Sequence, residues 1–176
     1  MKRTDQNNTT GVTLVEAMVA VALVLGFFIA IFEINGICLR YIKSSKNNIA
    51  ALQGVQDRLE QLRNLAFTSL ASASTVQTLM ATPANASEFL ARSPTEVVTF
   101  TGYQSMANYF AGTSDGTQTK ITLSPAASSA TINSTDANLS TATLVKINVT
   151  YTWTEALGGR PRSEQSETIV SAGTKK

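Results

Sequence analysis

With 176 residues, 14 Lys plus Arg against 12 Asp plus Glu and a formal charge of +2, the chain has room for one anchored helix and one modest domain, and its excess charge is too small to predict duplex nucleic acid as a partner. It has no histidine, which removes every His-containing triad or metal site and the commonest general base, and its single cysteine, Cys38, excludes an intrachain disulfide. An enzyme would have to use carboxylates, and Asp57, Glu60, Glu88, Glu96, Asp115, Asp136, Glu155, Glu164 and Glu167 are scattered without a metal-loop spacing, so neither catalysis nor a cofactor or metal is expected.

The chain opens on a short leader holding Lys2, Arg3 and Asp5, and Gly11-Val12-Thr13-Leu14-Val15-Glu16 then enters an apolar run. From Val12 to Phe32 the only formal charge is Glu16, and these 21 residues would make a helix of about 31 Å, enough to cross a bilayer core. A bare carboxylate at membrane depth costs about 2.5–3.5 kcal/mol, so Glu16 calls for a cation. Cleavage after Gly11 would free an α-amino group at Val12, one helical turn away. The same two groups could also pair between neighbouring subunits, which would make neutralisation depend on assembly. The alternative places Glu16 at the headgroup level, where a carboxylate costs little.

Gly11-x-Thr13-Leu14-Val15-Glu16 followed by a long apolar run resembles the type IV prepilin signature, shared by pilins, minor pilins and the pseudopilins of type II secretion. The match covers Gly11 to about Ala30. The resemblance implies cleavage between Gly11 and Val12 by a membrane prepilin peptidase on the cytoplasmic side, and N-methylation of Val12. It further implies that Glu16 pairs with the terminal amine of an adjacent subunit, and that Val19, Leu23, Phe27, Phe28 and Ile31 supply helix packing in the membrane and in a filament. Lys2 and Arg3 precede the segment while Arg40, Lys43 and Lys46 follow it, so basic residues alone do not orient it; the leader-inside orientation comes from the resemblance. Other N-terminal signals fit less well. Ala30-Ile31-Phe32-Glu33-Ile34 lacks the small-residue cleavage pattern of a secretory signal, and Ile37 is too bulky for the residue before a lipidated Cys38.

Beyond Phe32 the apolar spacing continues through Leu39, Ile42, Ile49, Leu52, Val55, Leu59, Leu62 and Leu65 or Ala66, which predicts an amphipathic continuation of the same helix with Asp57, Arg58, Glu60 and Arg63 on its solvated face. Unbroken from Thr13 to Phe67 it would be about 80 Å long; the alternative is a break at Asn35-Gly36. Thr68 to Ala91 is Ser/Thr/Ala-rich and contains Thr82-Pro83, as expected of a link with a short helix at Val76 to Met80. Strands are predicted at Glu96 to Tyr103, Gln118 to Leu123 and, with the clearest alternation, Leu144 to Thr154. A Gly/Pro turn at Glu155 to Pro161 then returns the chain as a more polar edge strand, Arg162 to Ser171. Between Ala111 and Thr143, 14 of 33 residues are Ser or Thr, and Ser124 to Asn138 reads as a solvated loop that cannot build a core. Tyr103, Tyr109 and Phe110 beside it are candidates for a stacking surface.

The expected fold class is α+β, a long N-terminal transmembrane and amphipathic helix packed on a small antiparallel β-sheet, as in pilins. The expected organisation is a cleaved leader at 1–11, an assembly helix at 12–32, its amphipathic continuation at 33–67, a linker at 68–95 and a sheet head at 96–176. The resemblance implies a non-enzymatic structural subunit, a minor pilin or pseudopilin of a type IV pilus-like or type II secretion filament. Its expected partners are prepilin peptidase, other pilins or pseudopilins, and the inner membrane, which it crosses once with the head periplasmic before entering a filament that can reach the cell surface. The competing expectation is a membrane-tethered module at a filament tip, an adhesin or DNA-uptake component acting through its Ser/Thr-rich loops.

Overall fold

The structure is a computed structural model that describes residues 13–82, 84, 94–114, 118–123, 130–133, 139–155 and 159–173. The element order is α1 (Leu14–Asn64), α2 (Phe67–Leu70), α3 (Ala73–Met80), β1 (Thr95–Tyr103), α4 (Met106–Phe110), β2 (Gln118–Leu123), β3 (Thr131–Ile132), β4 (Leu144–Thr154) and β5 (Pro161–Ser171). The fold class is the expected α+β, a long apolar N-terminal helix and a five-stranded antiparallel sheet against which the last turns of that helix pack. By its contacts the chain divides into two units between Lys43 and Ser44.

In the first unit α1 has no break at Asn35-Gly36; both residues are helical, although Gly costs a helix interior about 1 kcal/mol relative to Ala. Every residue from Leu14 to Lys43 is exposed except Gly36, which is half-buried.

In the second unit the sheet order is β3-β2-β1-β4-β5, every neighbouring pair antiparallel. The alternation predicted for β4 sets which face is buried. Val145, Ile147, Val149, Tyr151 and Trp153 are buried, and Lys146, Asn148, Thr150, Thr152 and Thr154 lie on the other face, exposed or half-buried. Opposite them on β1, Val98 meets Val149 and Phe100 meets Ile147 in register. The helical contribution comes from Ala51, Val55, Leu59 and Leu62 of α1, with Leu70, Val76 and Met80 of α2 and α3 closing the core. Burying one large aliphatic side chain of this kind contributes about 1.5–3 kcal/mol. As expected, β5 is an edge strand; Val170 is its one buried residue.

Three expectations are corrected. The helix ends at Asn64 rather than Phe67, and the stretch from Thr68 that reads as a link holds helices whose residues Leu70, Ala71, Ala73, Val76 and Met80 are core. The expected short helix at Val76 to Met80 begins three residues earlier, at Ala73. The Ser/Thr-rich stretch also contributes to the core. Most of the loop expected at Ser124 to Asn138 lies outside the described residues, but Ala130 is 1% and Leu139 0% exposed, Thr131–Ile132 adds strand β3, Gln77 Nε2 donates to Ala130 O at 2.6 Å and Leu139 N donates to Ala71 O at 3.0 Å. Sparse apolar residues suffice there because the backbone around them pairs with neighbouring elements.

The third correction concerns the helix face. Val55, Leu59 and Leu62 are buried as expected, but Ile49 and Leu52 are exposed, and Ala51, Gly54 and Arg58 are buried instead. Tyr151 packs against this face, its ring 3.5 Å from where a Cβ would stand on Gly54, which leaves room for a methyl group but not for a large side chain. Arg58, expected on the solvated face, is 0% exposed.

Helix α4, absent from the sequence reading, has local causes. The Ser105 side chain accepts from Asn108 N at 3.2 Å as its N-cap, and Gly112 at φ +68° ends it, with Gly112 N donating to Tyr109 O and Thr113 N to Asn108 O.

Candidate functional site

Gly11 and Val12, the expected cleavage and methylation residues, lie outside the described residues. Thr13 and the helix that follows are described. Thr13 Oγ1 accepts from Glu16 N at 3.3 Å, and Thr13 O accepts from Ala17 N at 3.1 Å, so Thr13 caps the helix and Glu16 stands at its third position. Thr-x-x-Glu is the capping-box spacing, legible in the sequence beside the prepilin-like reading of the same residues. A carboxylate in the first turn is also favoured by the partial positive charge of the helix N-terminus, by about 0.3–1 kcal/mol where exposed. Glu16 is therefore suited to the first turn of the helix by the chain's own backbone.

Val19, Leu23, Phe27, Phe28 and Ile31, the expected packing residues, all lie on α1 and all are exposed, from 37% for Ile31 to 69% for Leu23. By helical periodicity Glu16, Val19, Leu23 and Phe27 share one strip, with Phe28 about 100° around the axis from Phe27. No residue is buried in the most apolar window of this helix, which is long and apolar enough to cross a membrane. A soluble monomer rarely leaves so large an apolar surface in water; such surfaces mark membrane or protein contacts.

A second cluster holds the end of α1 to the sheet, and sequence reasoning missed it. The Arg58 guanidinium forks onto Glu96 of β1, Nε to Oε1 and Nη2 to Oε2, the latter at 3.1 Å. Its remaining protons go to Gln61 Oε1 at 2.8 Å, Thr82 O at 2.8 Å and Leu79 O at 3.4 Å. All five donors are thus engaged, the condition under which a buried guanidinium is tolerable. Glu96 is 2% exposed and lies opposite Tyr151 of β4 in register. Burial first, and then the Glu96 carboxylate beside it, push the Tyr151 hydroxyl well above the ordinary tyrosine range; Arg58 opposes this only in part. The cluster is saturated and sealed, so its chemistry is structural. A separate tie lies farther toward the N-terminus of α1, where Ser44 Oγ donates to Glu155 Oε1 and Arg162 Nε lies 3.3 Å from the same oxygen.

Of the aromatic candidates, Tyr103 is 7% exposed and packs edge-on to Tyr109 at 5.3 Å; Phe110, 5.5 Å from Tyr109, is 79% exposed. A groove of about 460 Å³ with charged and polar walls, Gln56, Glu60, Arg63 and Glu167 among them, runs between α1 and β5.

Comparison with family models, with curated proteins and with solved structures gave no match.

Proposed function

We propose that the chain is a structural subunit of a type IV pilus-like or type II secretion filament, a minor pilin or pseudopilin released from its leader between Gly11 and Val12 and assembled through the N-terminal part of α1. The observation that carries this reading is the run from Leu14 to Lys43, an uninterrupted helix that buries none of its large apolar side chains within the chain and begins at the Gly-x-Thr-Leu-Val-Glu sequence. A membrane accepts that surface first, and neighbouring helices accept it on assembly. Prepilin peptidase liberates the amine of Val12, Glu16 neutralises it on a neighbour, and the second unit remains outside the helical core.

The test is mass spectrometry of the N-terminus recovered from cells with an active prepilin peptidase. Methylated Val12 is expected. Gly11→Leu is expected to leave full-length precursor in the membrane, and Glu16→Val to permit cleavage but exclude the chain from filaments. An intact Met1 terminus in the wild-type chain overturns the proposal. A filament-tip binding role is favoured by one observation, the exposure of Phe110 and Met106 on α4, and predicts that replacing both with Ser abolishes attachment or uptake while filaments still form.

A further inference from the structure

Helix α4 carries an apolar face that the fold does not use. Met106 and Phe110, four residues apart on one side of it, are both exposed. Neither is needed to form the helix, because the Ser105 cap and the left-handed turn at Gly112 set its two ends. Phe110 is nevertheless held in place. Its ring meets Tyr109 at 5.5 Å and 67°, and Tyr109 stands edge-on to Tyr103, the buried last residue of β1, at 5.3 Å and 85°. The stack is thus rooted in the sheet while its outer ring faces solvent. Neutral polar groups border it: Thr113 N donates to Asn108 O at 3.0 Å, which folds Thr113 back beside α4, and Thr143 Oγ1 donates to Gln104 O at the start of the helix. Gln104, Thr113 and Thr143 are exposed. No residue from Gly102 to Ser114 or from Leu139 to Val145 is charged. The patch lies at the opposite end of the sheet from Ser44, where α1 enters this unit: Tyr103 is in register with Leu144, the first residue of β4, and Glu155, which Ser44 holds, follows the last. At about 3.3 Å per residue β4 separates the two ends by about 33 Å.

We infer that this patch binds a neutral sugar ring, stacked on Phe110 beside Met106 and hydrogen-bonded by the hydroxyl and amide groups around it. The inference rests on the filament-tip reading of α4 above and names its ligand class. A pyranose presents a face of polarised C–H groups, which suits the negative face of an aromatic ring. Its rim of hydroxyls both donates and accepts, which suits glutamine and threonine side chains. Charge and area select it over other partners. A nucleic acid needs cations along its phosphates, and the two segments that build the patch hold none. A standard protein interface takes about 800 Å² from each partner. A five-residue helix about 7.5 Å long, with two large apolar side chains, supplies little of that, whereas one aromatic ring is all that one sugar covers. A lipid surface calls for a longer amphipathic helix with basic residues on its polar face.

The test is saturation-transfer NMR on the full-length chain in phosphocholine micelles, which carry no sugar headgroup. The probes are neutral oligosaccharides of glucose, galactose, mannose and N-acetylglucosamine, with a heparin oligosaccharide and a short oligothymidylate as charged controls. At least one neutral probe is expected to bind, with transfer from aromatic protons strongest to its ring C–H groups. Phe110→Ala is expected to weaken that binding about tenfold or more and Phe110→Trp to retain it, while the urea midpoint read at Trp153 is unchanged in both. Binding by none of the neutral probes, binding by the charged controls alone, or equal binding by Phe110→Ala overturns the inference. Loss of attachment in the Met106→Ser, Phe110→Ser variant with no neutral sugar bound sinks the ligand class and leaves the tip reading standing. Sugar binding with attachment and uptake unchanged in that variant sinks the tip reading instead.

Discussion

Replacing Arg58 with Met keeps much of the side-chain volume and removes the charge, which isolates the buried cluster as a determinant of stability. Glu96 is then 2% exposed with no cation, and the carbonyls of Leu79 and Thr82 lose their donor. Breaking a buried pair from one side costs about 3–5 kcal/mol, and each carbonyl left unsatisfied adds about 1–3 kcal/mol unless water reaches it. A loss of about 4 kcal/mol would remove much of the 5–15 kcal/mol typical of a domain. Taking an m-value of about 2 kcal/mol/M, it lowers the urea midpoint by about 2 M. The assay is built into the chain: Trp153, the sole tryptophan and 5% exposed, reports unfolding of the second unit by its fluorescence in detergent. Arg58→Met with Glu96→Leu is expected to recover most of the loss, because an apolar replacement of both partners leaves no orphaned charge. A single substitution costing under about 1 kcal/mol, or a double variant as unstable as the single, would refute the reasoning.

Three further outcomes follow from the packing. Gly54→Ala places a Cβ 3.5 Å from the Tyr151 ring, ordinary contact, and removes a helix glycine, so it is expected to be neutral or stabilising by up to about 1 kcal/mol; Gly54→Leu is expected to destabilise by about 1–3 kcal/mol in the same urea titration. Tyr151 is held neutral in the folded chain above the pH at which it ionises when unfolded, so its contribution is complete below about pH 10 and is lost as pH rises beyond it, at about 1.4 kcal/mol per pH unit; Tyr151→Phe removes that share of the alkaline slope in midpoints measured from pH 8 to 11. Leu139→Ala is expected to cost about 2–5 kcal/mol by thermal unfolding, whereas changes at its exposed neighbours Ser140 and Thr141 are expected to fall within about 0.5 kcal/mol.

The strands were legible because their burial repeats every two residues, and β4 keeps its alternation from Val145 to Thr154. In the C-terminal part of α1 the spacing correctly placed Val55, Leu59 and Leu62 inside but failed at Ile49 and Leu52. Hydropathy also assigned Ile49 and Leu52 to the inner face, where the structure instead buries Ala51 and Gly54, the latter beside the ring of Tyr151. Arg58 was assigned to water because nothing in a linear reading marks Glu96, 38 residues later, as its buried partner. Composition likewise hid Ala130 and Leu139 among serines and threonines, since two apolar residues raise a segment's average little and still fill the space they occupy. Of the candidate site, the exposed apolar helix follows directly from hydropathy, whereas the Thr13–Glu16 cap was overlooked because Glu16 was read only as a charge in an apolar segment.

The edge strand β5 presents eleven residues whose backbone is paired on one side alone, to β4, and a long bare edge of this kind is a template for adding strands from another chain. Here it begins at Pro161 and alternates through exposed Arg162, Ser163, Gln165 and Glu167, while the opposite margin, β3, is only two residues long. Cationic and anionic side chains along one border and brevity along the other make sheet-to-sheet fusion unfavourable even where many such domains are crowded together. The sheet is thereby guarded at both margins against the addition of strands from another chain.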